Sequence, residues 1–87
     1  MYFVYILQSK IDNSTYIGYT NNLKVRLNQH DSKQNKSTKS KAPYNLIYFE
    51  AYRSKADTKY RETNLKRFAQ AYNQLKRRLK NSFVNSM

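Results

Sequence analysis

The sequence contains no cysteine and only one histidine, His30. Disulfide frameworks, thiolate zinc sites, iron–sulfur clusters and cysteine–histidine nucleophilic pairs are therefore excluded. Any metal that this chain binds must be a hard cation held by oxygen ligands. The lack of cysteine also suits a reducing compartment, so we expect a cytoplasmic protein.

Long hydrophobic runs are lacking as well. The apolar opening, Tyr2 to Leu7, has no basic segment before it and is too short for the hydrophobic part of a signal peptide. No later run approaches the roughly 20 apolar residues that span a membrane, so we expect a soluble protein with no membrane partner. At 87 residues the chain fits one domain, which we place at residues 1–80, with 81–87 as a frayed tail.

Acidic residues are scarce: five Asp and Glu stand against seventeen Lys and Arg, which gives a net charge of +12 at pH 7. Such a density of positive charge indicates a polyanionic partner. Ribosome-associated proteins, nucleic-acid chaperones and peripheral membrane proteins share this balance, so charge alone does not choose among them.

The patterning predicts a β-hairpin followed by a helix. Two segments rich in aromatic and β-branched residues, Tyr2 to Ser9 and Thr15 to Thr20, flank a polar turn. From Asn21 the hydrophobic period changes to that of a helix, which we expect from about Asn22 to His30. The segment from Asp31 to Lys41 has no apolar residue, so it predicts a mobile basic loop that buries nothing.

The second half of the chain predicts one strand and then helix. Tyr44 to Tyr52 contains the most hydrophobic stretch of the chain and predicts a third strand. A capping box begins at Ser54. Apolar residues then recur at helical spacing, which predicts one long helix, or two in succession, to about Lys80. This stripe consists of Leu65, Phe68, Ala69, Tyr72, Leu75 and Leu79.

Gly18 is the only glycine, whereas average usage would supply about six in a chain of this length. Glycine in a strand permits a bulge, a positive φ or the close approach of another group. A simple kink at the end of the strand is the alternative.

Glu62 precedes Leu65 by three residues and Ala69 by seven, so it extends the apolar stripe of the predicted helix. A buried carboxylate is costly unless it is paired or binds a metal. The pattern leaves open an ion pair with a basic residue and a functional acid.

Arg26 and His30 are separated by four residues and share one face of the first predicted helix, where they could flank a cleft or form an ordinary solvated face. Tyr5 and Tyr16 lie on the paired strands, where an aromatic pair is an ordinary stabilising device.

Taken together, these positions resemble the GIY-YIG nuclease superfamily, in its small single-domain bacterial branch, with Phe-Val-Tyr in place of Gly-Ile-Tyr. The resemblance extends from about Tyr2 to Arg67. It is carried by Phe3-Val4-Tyr5-Ile6-Leu7, Tyr16-Ile17-Gly18-Tyr19-Thr20, Asn22-Leu23, Arg26-Leu27, His30, Pro43, Leu46, Tyr48-Phe49-Glu50, Ser54, Ala56, Arg61-Glu62 and Leu65-Lys66.

The resemblance implies an α+β fold of the α/β class, in which helices flank a small three-stranded antiparallel sheet. It also implies hydrolysis of DNA phosphodiester bonds with one divalent metal ion, Mg²⁺ or alternatively Mn²⁺. The matching positions are Tyr5 and Tyr16 as motif tyrosines, Arg26 as the helix arginine, His30 as its polar partner and Glu62 as the metal-binding acid.

We hypothesise that Tyr5 is the general base, with Tyr16 or His30 as alternatives. Arg26, the metal and the net positive charge would all favour its tyrosinate form. We expect nucleic-acid contacts from the basic loop and the basic helix, through Lys33, Lys36, Lys39, Lys41, Lys66 and Arg67. No base-reading module is visible, so sequence specificity would come from an appended domain or a protein partner.

Two other functions remain open from the sequence. The chain could be a basic nucleic-acid-binding module without catalysis, in which Glu62 pairs with Arg26. Alternatively, the helix from Leu65 to Leu79 could be an amphipathic element that binds a membrane surface or a partner protein. The second alternative leaves Tyr5, Gly18 and Glu62 unexplained.

Overall fold

The computed structural model describes residues 1–33 and 38–83. Its centre is an antiparallel sheet of three strands in the order β2-β1-β3, which confirms the predicted fold class. The strands occupy the predicted segments: β1 (Tyr2–Ser9), β2 (Thr15–Thr20) and β3 (Tyr44–Tyr52). Because β1 pairs with both neighbours, it is the strand from which buried residues reach either face of the sheet.

The first helix, α1 (Leu23–Asp31), begins and ends one residue later than predicted. Asn22 caps it, because its side-chain oxygen accepts a hydrogen bond from the backbone amide of Val25 at 3.2 Å. A short 3₁₀ helix, Lys39–Lys41, lies between α1 and β3.

Two helices follow β3, as one of the two predicted alternatives had it. They are α2 (Lys55–Arg67), capped by Ser54, and α3 (Ala69–Arg78). Phe68 between them has an extended backbone, with φ −113° and ψ 103°. The predicted continuous stripe is therefore wrong at Phe68 and Ala69, which are exposed, because the helix is interrupted at Phe68.

The two faces of the sheet have different compositions, since successive residues of a strand point to opposite sides. On one side, which we call the apolar face, Val4 and Ile6 pack against Leu65 of α2, Leu75 of α3 and Leu79, the C-cap residue of α3. On the other side, the tyrosine face, Tyr5 and Leu7 pack with Ala42, Tyr44, Tyr16, Leu23 and Leu27.

Phe83 lies in the segment that we predicted as a frayed tail, and it packs against the apolar face. Residues 84–87 are outside the described part of the chain. None of the helices within the described ranges is long and apolar enough to cross a membrane.

Candidate active site

Tyr5 occupies the centre of the tyrosine face and is completely buried. Its hydroxyl lies 3.0 Å from Nε2 of His30 and accepts a hydrogen bond from Nε of Arg26 at 3.4 Å. The face of α1 that carries Arg26 and His30 is thus turned toward the sheet. Tyr5, Tyr16, Arg26 and His30 form one group, which we call the tyrosine cluster.

Gly18 lies opposite Tyr5 in the pairing of β1 with β2. A Cβ atom at this position would lie only 2.5 Å from Oη and 2.7 Å from Cζ of Tyr5, and 3.0 Å from Cε2 of Tyr16. The φ angle of Gly18 is not positive. Of the reasons that the sequence left open, close approach of another group is therefore the one that applies.

His30 is 0% exposed, and its second ring nitrogen, Nδ1, lies 2.7 Å from Oγ1 of Thr38. Burial lowers the pKa of His30, and the charge of Arg26 lowers it further, while Asp31 acts in the opposite direction. These effects favour a neutral imidazole. If Nδ1–H donates to Thr38, the lone pair of Nε2 faces the hydroxyl of Tyr5 and can accept its proton.

Thr38 is a site residue that the sequence reasoning missed. It is 1% exposed, although we predicted that the segment Asp31 to Lys41 would bury nothing. That prediction is wrong at Thr38 because its hydroxyl is matched to His30 and its carbonyl accepts a hydrogen bond from the hydroxyl of Tyr44 at 3.2 Å. No local pattern distinguishes Thr38 from its polar neighbours, so the sequence carried no signal for it.

Burial raises the pKa of Tyr5, although its hydrogen bond with Arg26 acts to lower it. Arg26 acts in the expected direction, but desolvation of the phenol outweighs it. Tyr5 is therefore a neutral phenol, and its proton has an acceptor in Nε2 of His30 when the His30 proton is on Nδ1.

Tyr16 lies beside both Tyr5 and His30. Its ring centroid is 6.4 Å from that of Tyr5 and 5.1 Å from that of His30. Nζ of Lys66, on α2, lies 5.8 Å from the centre of the Tyr16 ring. Helix α2 therefore reaches the tyrosine cluster at the β2 edge of the sheet.

Glu62 lies one helical turn before Lys66, and its carboxylate Oε2 is 3.3 Å from Nζ of that residue. The Glu62 side chain is 16% exposed, so a solvated ion can reach it. Its negative charge is close enough to Tyr5 to contribute to the raised pKa of the phenol. The ion pair with Arg26 that a purely binding module would use is not formed, because Arg26 donates to Tyr5 and Gln29 instead.

Glu50 is a second inward-facing carboxylate, but its oxygens are already occupied. Arg61 donates to both of them, at 2.9 Å and 3.0 Å, and the hydroxyls of Tyr48 and Tyr52 donate as well, at 2.8 Å and 2.5 Å. Burial acts to raise the pKa of Glu50, but these hydrogen bonds lower it overall. Glu50 therefore stabilises the fold, whereas Glu62 retains an oxygen without a partner in the described residues.

The donor set around Glu62 suits a hard cation that keeps most of its water. In residues 1–33 and 38–83, no three His, Cys, Asp or Glu side chains come together as a metal cage. Mg²⁺ does not require one, because it is commonly held by one or two carboxylates, substrate phosphate and water. A single half-buried carboxylate next to the tyrosine cluster fits that mode of binding.

The residues predicted to bind nucleic acid differ in their exposure and in their contacts within the protein. Lys33, Lys39 and Arg67 are exposed, and Lys66 contacts Tyr16. Lys41 forms an ion pair with Asp12 at 2.7 Å, so its ammonium group is engaged within the protein. Lys36 lies outside the described residues.

A polar cavity of about 390 Å³ adjoins the tyrosine cluster, and the sequence reasoning missed it. Arg26 belongs to both, so we call it the Arg26 cavity. The cavity is assembled from β1, the end of β2, α1 and the first residue of α2, which are far apart in the sequence. It is lined by Tyr2, Tyr19, Thr20, Asn21, Arg26 and Lys55.

The chain is similar to known proteins over most of its length. A family model described as the GIY-YIG catalytic domain matches residues 1–76. A UPF0213 protein of Staphylococcus haemolyticus is 41% identical over 69 residues, which cover 78% of this chain and 83% of that protein. A UPF0213 protein of Clostridium perfringens is 40% identical over 68 residues, covering 77% and 72% of the two chains.

A solved structure is similar as well. The solution NMR structure of a UPF0213 protein from Bacillus halodurans matches with a TM-score of 0.54 at 33% identity. The match covers 86% of this chain and 82% of that one.

Proposed function

The chain belongs to the GIY-YIG family of nuclease domains, and from that premise we propose that it is a metal-dependent endonuclease that hydrolyses phosphodiester bonds of DNA. We further propose that it is structure-selective or only weakly specific for sequence. The observation that carries the proposal is the buried phenol of Tyr5, held between His30 and Arg26 against Gly18.

Glu62 would hold the metal ion, for which Mg²⁺ is the first candidate and Mn²⁺ the second. The ion would neutralise charge on the phosphate and on the leaving oxygen. The support is chemical, because Glu62 is half-buried and reachable, while Glu50 is saturated by Arg61 and two tyrosines.

The protein's own groups would move the proton and stabilise charge. Tyr5 takes a proton from the attacking water as it passes its own proton to Nε2 of His30, so the phenol never has to exist as a free anion. The water oxygen then bonds to phosphorus, the ester bond breaks, and the leaving oxygen takes a proton from solvent. His30 afterwards returns its proton to Tyr5, which gives up the proton from the attacking water to solvent. Arg26 directs a planar fork of donors at the negative charge that develops on the phosphate.

Replacing Glu62 by Gln tests the proposal, because it keeps the shape of the side chain and removes its charge. We expect cleavage of labelled single-stranded, duplex or branched DNA in Mg²⁺ to fall about 10²–10³-fold, the range for losing one electrostatic stabiliser of a transition state. DNA binding, measured by fluorescence anisotropy in EDTA, should be retained.

Asp57→Asn is the matched control, since it removes one carboxylate from an exposed position on the same helix. It should cleave at the parental rate. Binding of DNA by the parent and by Glu62→Gln, with cleavage by neither in Mg²⁺ or Mn²⁺, would instead identify a non-catalytic nucleic-acid-binding module.

A further inference from the structure

The Arg26 cavity lies beside the tyrosine cluster but has no part in the proton transfer described above. Arg26 divides its contacts between the two, because its Nε donates to Tyr5 while its side chain lines the cavity. Tyr19 and Thr20, which follow Gly18 directly on β2, form another wall. A group bound in the cavity would therefore lie next to a group bound at Tyr5.

The lining of the cavity is suited to an oxyanion. It contributes one guanidinium, one ammonium, three hydroxyls and one amide, and none of the lining residues is a carboxylate. Thr20 shares its hydroxyl with the backbone of Asn22, at 3.1 Å and 3.3 Å, but the phenols of Tyr2 and Tyr19 have no hydrogen bond within the described ranges. A phosphate group can use both the charges and the hydroxyl donors.

Lys55 differs from the lysines that already have a carboxylate partner. Lys41 is paired with Asp12 and Lys66 with Glu62, whereas Lys55 forms no ion pair in the part of the chain that the structure describes. It is the first residue of α2, the same helix that carries Glu62. A ligand of Lys55 is thereby held at a fixed position relative to the proposed metal-binding acid.

We propose that the Arg26 cavity binds a second phosphate of the nucleic-acid backbone, adjacent to the phosphodiester that is cleaved, with Lys55 as its principal ligand. The inference rests on the proposed nuclease function and extends it. This contact sets the register of the strand across the tyrosine cluster. A phosphodiester bond at the end of a strand has no neighbouring phosphate for the Arg26 cavity, so it is cleaved poorly. The enzyme therefore prefers internal bonds.

The contact between Lys55 and the second phosphate is tested by replacing backbone phosphates, one at a time, with an uncharged linkage. DNA strands of one sequence, each with a single methylphosphonate at a different position, are cleaved by the parent, by Lys55→Ala and by Lys59→Ala. We expect the parent to be slowed by a neutral linkage at one position beside the cleaved bond. Lys55→Ala should cleave unmodified DNA more slowly and lose this sensitivity. Lys59 is an exposed lysine of the same helix that lies outside the cavity, so Lys59→Ala should keep the sensitivity.

Binding without cleavage separates this inference from the nuclease proposal. The ¹⁵N-labelled protein is titrated in EDTA with a trinucleotide that carries two phosphodiesters, and amide shifts are followed at Tyr19, Thr20, Asn21 and Lys55. In the parent these amides should move on binding, and Lys55→Ala should reduce the movement. The salt dependence of affinity should lose about 0.7–0.9 from its logarithmic slope in Lys55→Ala, the amount expected for one phosphate contact.

Each outcome decides at least one of the two proposals. Shifts that depend on Lys55 in a parent that cleaves no DNA would support the phosphate site and refute the nuclease. Cleavage by a parent that is insensitive to every neighbouring linkage would refute the phosphate site and support the nuclease. Equal effects of Lys55→Ala and Lys59→Ala would also refute the phosphate site, since they would indicate only a general attraction to positive charge.

Discussion

The apolar face and the tyrosine face of the sheet bury neighbouring residues of the same strand, but by different means. Val4 and Ile6 are buried among leucines, where burial is non-directional and tolerates small shifts. Tyr5, between them in the sequence, is just as deeply buried, yet its surroundings include His30, Arg26 and the backbone of Gly18. The tyrosine face depends on atoms that must meet at hydrogen-bond distance.

The polar groups of the tyrosine face satisfy each other. Tyr5 meets His30, which comes 25 residues later, and His30 meets Thr38 after a further eight. In residues 1–33 and 38–83, no buried side-chain nitrogen or oxygen lacks a hydrogen-bond partner. We infer that the apolar face supplies most of the stability, while the tyrosine face uses that stability to hold a reactive arrangement.

Ile6→Ala should have the largest effect on the apolar face. Removing a fully buried aliphatic side chain costs about 2–5 kcal/mol of the free energy of unfolding, which is large for a domain of this size. Urea denaturation measures the loss, and DNA cleavage per folded molecule should remain close to that of the parent.

Should Ile6→Ala fail to fold, Ile6→Val serves the same purpose with an expected loss of about 0.5–1.5 kcal/mol. Tyr5→Phe is the partner variant on the opposite face. It should reduce cleavage far more than stability, since it keeps the ring and removes only the hydroxyl. Equal losses of activity per folded molecule in Ile6→Val and Tyr5→Phe would show that the two faces are not functionally distinct.

Gly18→Ala should have the next largest effect, on the tyrosine face. The added methyl group would meet the Tyr5 hydroxyl at 2.5 Å, so the phenol or the β2 backbone must shift, which disturbs the 3.0 Å contact between Tyr5 and His30. A displacement of about 1 Å in a catalytic group can cost 10²-fold in rate, and overpacking costs about 1–3 kcal/mol in stability. Cleavage assays and urea denaturation measure the two losses.

A double-mutant cycle with Tyr5→Phe identifies the cause of the Gly18→Ala effect. The stability cost of Gly18→Ala should shrink when it is combined with Tyr5→Phe, because the nearest clashing atom is then absent. If Gly18→Ala keeps parental stability and activity, the close approach to Tyr5 is not what requires glycine at this position.

The fold was largely predictable because its patterns are local. Segments rich in aromatic, β-branched and hydrophobic residues placed all three strands, and helical spacing placed α1 to within one residue at each end. The position of the break at Phe68 was not predictable, since the spacing of apolar residues continues through it while the helical backbone does not. Phe68 is neither glycine nor proline, so no residue type marked the break.

The candidate site was predictable where one residue is unusual for its surroundings. Gly18 stood out by its rarity and Glu62 by its place in an apolar stripe. Thr38 and Lys55 could not be found in this way, because their surroundings are created by residues distant in the sequence. The sign of the Tyr5 pKa shift was likewise missed, because it depends on how deeply the phenol is buried and not only on nearby charge.

The smallest expected effect concerns the protonation of His30. It sharpens the comparison of the two faces because the apolar face around Ile6 contains no histidine. In the folded protein, burial and Arg26 lower the pKa of His30 from its ordinary value of 6.5. Between that value and the lower folded pKa, the unfolded chain binds a proton that the folded protein does not. The free energy of unfolding should therefore fall as the pH decreases through this window.

Urea denaturation at a series of pH values from about 7.5 down to 5 measures this effect, with His30→Gln and Ile6→Val alongside the parent. One proton limits the slope to about 1.4 kcal/mol per pH unit, and Asp and Glu titrate mostly below this range. His30→Gln should flatten the slope, whereas Ile6→Val should lower stability and keep it. A parent that becomes more stable on acidification would have His30 protonated in the folded state. Nε2 would then be a donor, and it could not accept the proton of Tyr5.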